Sequence, residues 1–269
     1  MIISGKEFKK DETYIMGILN VTPDSFSDGG THNDIESAIS FANKMYEEGC
    51  DVFDVGGEST RPGYTQISDQ EEIERVCPVI ERLKATFDIP VSIDTYKSHV
   101  AQCAIDAGAD IVNDIWGLKY DSKMASVIAD NGVYAILMHN RIEPAKSDLK
   151  AAMLQDMEET LEIARRAGIR DEKIILDPGI GFGKTYEHNL MDLSDINAYI
   201  PAGYPVLLGS SRKSVIGLTL DLPTNEREEG TIVTTVMGTL AGCNFIRVHD
   251  VLKNKRAVKM AKAIINERR

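Results

Sequence analysis

"KIILDPGIGFGK", Lys173 to Lys184, is the stretch on which the fold turns. An apolar run ends in a carboxylate, Asp177, placed directly before a proline and a glycine-rich turn. Such a turn can be a tight strand-to-helix connection and nothing more, its glycines supplying backbone angles that other residues avoid. It can also hold Asp177 against a ligand. Whether the same pattern recurs along the chain separates the two readings.

It recurs. Short apolar runs rich in Val and Ile, each closing on a small or polar residue, are "YIMGILN" to Asn20, "CDVFDVGG" to Gly57, "PVSIDT" to Thr95 and "ADIVNDI" to Ile115. They continue with "VYAILMH" to His139, "KIILD" to Asp177, "YPVLLGSS" to Ser211 and "CNFIRVHD" to Asp250. Near-continuous apolar strands are buried on both faces, which predicts a parallel sheet covered by helices. Between them lie helical patterns, such as Ile35, Ala38, Ile39, Ala42, Met45 and Tyr46, or Leu154, Met157, Leu161 and Ala164. The last helix repeats the pattern with Val251, Val258, Ala261 and Ile265. The segment from Ser68 to Phe87 is helical in pattern with an expected kink at Pro78. Glycines at 49, 108 and 168 mark helix ends. Strands alternating with helices eight times over about 250 residues predict an α/β fold, a single (β/α)8 TIM barrel spanning 1–269. Its short N-terminal extension is expected at the barrel bottom. A doubly wound sheet would more often open on a GxGxxG turn, which is absent.

The chain has 269 residues, 43% hydrophobic and 27% charged, an ordinary globular composition. Its net charge of −12 lacks the electrostatic footprint of a nucleic-acid binder, although gathered cations can still hold an anion. No segment resembles a signal peptide or a membrane span, so a cytoplasmic protein without a membrane partner is expected. Cys50, Cys77, Cys103 and Cys243 form no CxxC pair, and free thiols are expected rather than disulfides or a zinc site.

A (β/α)8 barrel gathers the C-terminal ends of its strands on one rim. Asn20 leads into "VTPDSFSDGG", the second strand into "GGESTRPG", and the third carries Asp94. Asn113 and Asp114 end the fourth strand, Met138 and His139 the fifth, Asp177 the sixth. "GSSRKS", with Gly209, Lys213 and Ser214, follows the seventh, and Arg247 and His249 end the eighth. Singly, each has a structural reading. Asp114 and Asp250 can cap helices, Asn20 can start a turn, Asp94 can form an Asx-turn, and Arg247 can pair with a neighbouring acid. Jointly, so many polar groups at one mouth need partners, which favours a small polar ligand. Asp94, Asn113 and Asp177 suit a flat heterocycle with several N–H groups, and Lys213 suits its carbonyl or ring nitrogen. Asn20, Arg247 and His249 form a second cluster, because the first and eighth strands of a closed barrel are neighbours. That set suits an anion with a metal, such as diphosphate with Mg²⁺. The turn at "SSRKS" offers backbone N–H groups for a carboxylate or phosphate.

These stretches strongly resemble bacterial dihydropteroate synthases, a pterin-binding TIM-barrel family of the folate pathway. The resemblance covers essentially the whole chain, from "GILNVTPDSFSDGG" through "FDVGGESTRPG", "VSIDTYK", "VNDI", "DPGIGFGK" and "GSSRKS" to "IRVHDV". It implies that 6-hydroxymethyl-7,8-dihydropterin diphosphate is joined to p-aminobenzoate, giving 7,8-dihydropteroate and diphosphate. It also implies that Asp94, Asn113, Asp177 and Lys213 hold the pterin, with Met138 and Gly209 in the same site. Asn20 would contact Mg²⁺, while Arg247 and His249 hold the diphosphate and Arg247 stacks on the pterin. Phe26, Thr60, Arg61 and Pro62 match the family's first and second loops, and Lys213, Ser214 and Phe182 its p-aminobenzoate site, where sulfonamides compete. A homodimer is implied as well. The same pterin-binding carboxylates would serve a methyltetrahydrofolate-binding corrinoid methyltransferase, which has no need of the anion cluster or of "GGESTRPG". A non-catalytic pterin-binding barrel is a third reading, against which the two-cluster mouth argues. The two polar loops are expected to order around diphosphate, making p-aminobenzoate the second ligand to bind.

Overall fold

The computed structural model describes residues 1–22, 31–58, 66–146 and 148–267, with the side chains of 31–34 excepted. Each apolar run becomes a strand because both of its faces find apolar neighbours, one inside the barrel and one under a helix. The barrel strands are β3 (Tyr14–Asn20), β4 (Val52–Gly56), β5 (Val91–Asp94), β6 (Ile111–Asp114), β7 (Tyr134–Met138), β8 (Ile174–Asp177), β9 (Leu207–Leu208) and β10 (Phe245–Val248). They form one parallel sheet in the order β8-β7-β6-β5-β4-β3-β10-β9. A bridge between Leu176 and Val206, with the Leu176 N–H donating to the Pro205 carbonyl at 2.9 Å, joins the two ends. The order and closure are those of a (β/α)8 barrel.

Around it lie α1 (Thr31–Glu47), α2 (Asp69–Thr86), α3 (Ser98–Asp106), α4 (Met124–Asn131), α5 (Leu149–Ala167), α6 (Tyr186–Ser194), α7 (Ser214–Leu220), α8 (Glu228–Ala241) and α9 (Val251–Asn266). The described residues thus hold nine α-helices where the pattern predicts eight, because the segment after β9 divides into α7 and α8. Strand β9 is also shorter than the expected run from Tyr204 to Ser211. The chain turns just beyond it, with Arg212 in the left-handed region at φ 56°. Helix α2 continues through Pro78, and Val76, Val79, Ile80 and Leu83 keep it docked. Glycines 132, 168 and 242 end α4, α5 and α8 at left-handed φ values, as helix stops do.

The N-terminal segment forms a small antiparallel hairpin, β1 (Ile2–Ile3) with β2 (Lys6–Glu7). It brings Ile3 and Phe8 into a buried cluster with Met16, Val52, Ile111, Tyr134, Ile136, Ile175, Leu207 and Phe245. These are the inward residues near the strand starts, so the extension does plug the barrel bottom. The Phe8 ring lies edge-on to Tyr14 at 4.7 Å and 5.5 Å from Phe245. Burying an aromatic side chain of this size stabilises by about 2–3 kcal/mol.

Candidate functional site

Side chains alternate in and out along a strand, so the inward face of the barrel can be followed upward two residues at a time. Above Val52 comes Asp54, above Ser92 Asp94, above Ile111 Asn113, above Ile175 Asp177 and above Phe245 Arg247. The register puts Asn20, Gly56, Asp94 and Asn113 in one row across four strands. Four of these five upper positions carry a charge, and buried charges must be paired.

Arg247 supplies the pairing. Its Nε donates to Asp54 Oδ2 and its Nη2 to Asp94 Oδ2, both at 2.5 Å. Asn113 Nδ2 reaches Asp54 Oδ2 at 3.3 Å. Burial opposes the Arg247 charge, but the Asp54 and Asp94 carboxylates hold its pKa above the usual value. For Asp94, burial wins over Arg247 and pushes the carboxyl up to about 7. Its Oδ1 is buried without a hydrogen-bond partner, an acceptor waiting for a donor.

Asp177 Oδ1 accepts the Gly179 N–H at 2.7 Å. A Cβ at Gly209 would lie 3.5 Å from Asp177 Oδ2 and 3.8 Å from Arg247 Cδ, so the glycine leaves that flank of the carboxylate open. Burial raises the Asp177 pKa, with Lys213 opposing. Burial pulls the Lys213 ammonium down to about 8 against the attraction of Asp177. Its Nζ donates to the Ile180 carbonyl at 2.5 Å and sits 4.6 Å from the centre of the Phe182 ring. Phe182 and Trp116 pack against a buried cluster of Tyr96, Ile115 and Met138, an apolar wall beside the polar floor.

The tight-connection reading of the "DPGIGFGK" turn holds. A Cβ at Gly179 (φ +73°) would lie 2.0 Å from the His139 carbonyl oxygen, and one at Gly183 (φ +55°) 2.3 Å from that of Arg141. Close approach of the loop after β7 therefore requires glycine at both, while Asp177 stands at the mouth.

The second cluster spans β3 and the end of β10. His249 Nδ1 lies 2.9 Å from Ser211 Oγ, which also accepts the His249 N–H at 3.3 Å. This favours a serine proton on Nδ1 and the imidazole proton on Nε2. Asn20 ends β3, with its Oδ1 3.6 Å from where a Cβ at Gly56 would stand. Arg247 shares the neighbouring strand but turns its guanidinium to the carboxylates of the first cluster. Ser214 opens α7 and is exposed. Phe26, Thr60, Arg61 and Pro62, and with them most of both loops, lie outside the described residues.

Other strand-end groups are structural. Asp114 accepts the N–H groups of Trp116 and Leu118, each at 2.8 Å, and Asp250 caps α9 by accepting from Lys253. His139, buried, lies 2.9 Å from Asp156 Oδ2 through Nε2 and 3.1 Å from Lys184 Nζ through Nδ1. Two buried groups escaped the sequence reading. Asp54 was signalled by a lone charge inside the apolar run "VFDVG". Lys184 closes the quoted turn but carried no signal of its own, since a lysine after glycines reads as solvated.

The described residues offer no group of three or more His, Cys, Asp or Glu able to hold a metal ion. What the mouth offers is a set of carboxylate acceptors, an amide and an ammonium beside an aromatic wall. That donor and acceptor set fits a flat ring bearing several N–H groups and a carbonyl.

The sequence pattern described as "Pterin binding enzyme" matches residues 16–249, and the chain belongs to that family. It is 56% identical over 98% of its length to the dihydropteroate synthase of Clostridium beijerinckii, covering 99% of that protein. A crystal structure of dihydropteroate synthase from Clostridium difficile, determined in the presence of pteroic acid, superposes with a TM-score of 0.93 at 48% identity, over 96% of this chain and 99% of that one. The Xanthomonas albilineans dihydropteroate synthase with 4-aminobenzoic acid superposes with a TM-score of 0.92 at 39% identity, over 97% of this chain and 96% of that one.

Proposed function

We infer that the chain acts as a dihydropteroate synthase, a transferase of folate biosynthesis. It condenses 6-hydroxymethyl-7,8-dihydropterin diphosphate with p-aminobenzoate to give 7,8-dihydropteroate and diphosphate. The observation that carries this reading is the orphaned, buried acceptor on Asp94 beside Asp177, Asn113 and Lys213, in a chain 56% identical to a dihydropteroate synthase.

In this reading Asp94, Asn113 and Asp177 take the N–H groups of the pterin, and Lys213 donates to its ring carbonyl or nitrogen. Met138 and Phe182 pack on the ring, and Gly209 leaves room for it. The bond from the exocyclic methylene to the diphosphate oxygen breaks, and its electron pair leaves with diphosphate. The aniline nitrogen of p-aminobenzoate forms the new C–N bond and loses a proton. Positive charge gathers on the pterin as the bond breaks, and the fixed carboxylates of Asp94 and Asp177 stabilise it without reorganising. Arg247 holds Asp94 in place, stacks on the pterin and helps to neutralise the departing diphosphate, with His249 at the same anion. Ser214, Phe182 and the loop residues Phe26, Thr60, Arg61 and Pro62 border p-aminobenzoate, where sulfonamides compete.

A lone amide oxygen fits Mg²⁺, which keeps its waters and binds through few protein groups together with substrate phosphates. Asn20 is the residue that would hold it, and the ion supplies charge neutralisation at the leaving diphosphate. The four free cysteines fit a reducing cytoplasm. A second copy of this chain is the partner we propose for the exposed apolar face of α8, where Val233, Met237 and Leu240 repeat at helical spacing beside Leu218 and Leu220 of α7. The test is incubation with the pterin diphosphate, p-aminobenzoate and Mg²⁺. Dihydropteroate is expected as product, and its absence overturns the reading.

A further inference from the structure

We propose that Lys184 is the positioning residue for Asp177, acting through the one peptide group that joins Pro178 to Gly179. This rests on the reading of Asp177 as an acceptor for the pterin. The Lys184 side chain is completely buried. Its Nζ donates to the carbonyls of Pro178 at 2.7 Å and Gly179 at 2.9 Å, and lies 3.1 Å from His139 Nδ1. Those three are its short contacts, and the Phe182 carbonyl lies further off at 3.5 Å. Asp192, also fully buried, balances the charge from 3.8 Å, too far for a hydrogen bond.

The Pro178 carbonyl and the Gly179 N–H belong to the same planar peptide. The oxygen end receives the lysine cation, and the N–H end donates to Asp177 Oδ1 at 2.7 Å. A cation on the oxygen polarises the group and strengthens the N–H as a donor. Oδ1 is thereby pinned, and Oδ2 is left facing the flank that Gly209 keeps open. His139 couples the same ammonium to the next strand. Its Nε2 lies 2.9 Å from the Asp156 carboxylate, which places the ring proton there and leaves Nδ1 to accept from Lys184. The His139 backbone N–H donates to the Asp177 carbonyl at 2.9 Å. Lys184 therefore fixes the carboxylate from both its turn and its neighbouring strand while bonding to protein groups alone.

The test is calorimetry with a bare pterin and, separately, with diphosphate, on Lys184→Met, Asp177→Asn and the double variant. Lys184→Met is expected to weaken the bare pterin about tenfold and to leave diphosphate affinity nearly unchanged. In the Asp177→Asn background the same substitution is expected to add less than about twofold, the signature of two groups acting as one. An unchanged pterin affinity in Lys184→Met, an equal loss for both ligands, or losses that add in full each overturn the proposal. Unchanged pterin affinity in Asp177→Asn overturns instead the ligand reading beneath it. Where Lys184→Met does not fold, Lys184→Gln keeps neutral donors for the carbonyls. It is expected to show a smaller pterin-specific loss that again vanishes in the Asp177→Asn background, and a loss that persists there overturns the proposal.

Discussion

The floor and the mouth of the barrel are built from the same strands and the same inward face, a few residues apart. The floor stacks Met16, Val52, Ile111, Ile175 and Phe245 on the Phe8 plug. The mouth, directly above, stacks Asp54, Asp94, Asn113, Asp177 and Arg247. Side-chain alternation is the same at both ends, so what differs along each inward face is its chemistry. Apolar burial at one end stabilises the closed barrel. Charge burial at the other end opposes folding and is tolerated only through pairing. If the mouth binds the ligand as proposed, stability and recognition belong to opposite ends of each strand and should separate under mutation.

The widest separation is expected from Phe8→Ala. Removing a fully buried ring should cost about 3–5 kcal/mol of unfolding free energy while bare-pterin affinity stays put. Denaturation and calorimetry on one preparation check both, and a parallel fall in affinity would break the division. Asp177→Asn should do the reverse. Replacing a carboxylate acceptor by an amide leaves ligand N–H groups badly paired and costs about 1–3 kcal/mol of pterin binding, with the melting temperature little changed.

A pH titration of bare-pterin binding sharpens the contrast further. Asp94, held at about 7 by burial, must lose its proton to accept from the ligand. Lys213, pulled down to about 8, must keep its proton to donate. Affinity should rise as pH climbs through about 7 and fall again above about 8. Stability has the opposite slope in the lower limb. A carboxyl raised from 3.8 to about 7 contributes fully below the unfolded value and loses that contribution as pH rises through the folded one. A pterin affinity flat across this window would remove both groups from the ligand.

The smallest effect is expected from His249→Ala, about 1 kcal/mol of diphosphate affinity with bare-pterin affinity unchanged. Because Arg247 is already committed to Asp54 and Asp94, Arg247→Ala should disturb both ligands. If diphosphate binding survives the His249 change while pterin binding falls, the anion cluster has been assigned to the wrong end of the mouth.

The strands and most mouth residues were legible because a polar group at the end of an apolar run stands out against its neighbours. Asp94, Asn113, Asp177 and Arg247 all have that position. What the sequence did not disclose depends on where long side chains reach. Arg247 lies on the expected strand end and takes the acid pairing the sequence allows it, but which acids, Asp54 and Asp94, depends on a guanidinium reaching across the barrel. Asp54 lies before the end of its run, where a lone charge among apolar residues is its signal but does not say which cation it meets. Lys184 folds back on its own turn, a contact that spacing along the chain cannot express. The shortness of β9 was hidden because "YPVLLGSS" is apolar well past the point where pairing ends.

That short strand has a dynamic consequence. Among the described residues the sheet closes through one bridge, Leu176 to Val206, while the other junctions carry ladders of two to five register pairs. Local opening follows the weakest pairing, so the barrel breathes first at this seam. Its two banks carry Asp177 and Gly209, and a pterin held by Asp177 as proposed would span the gap. Ligand occupancy and closure of the seam are then expected to be coupled. The Leu176 amide, bonded across the seam to Pro205, is where a bound pterin should slow hydrogen exchange most, and equal protection throughout the sheet would show that the seam holds without it.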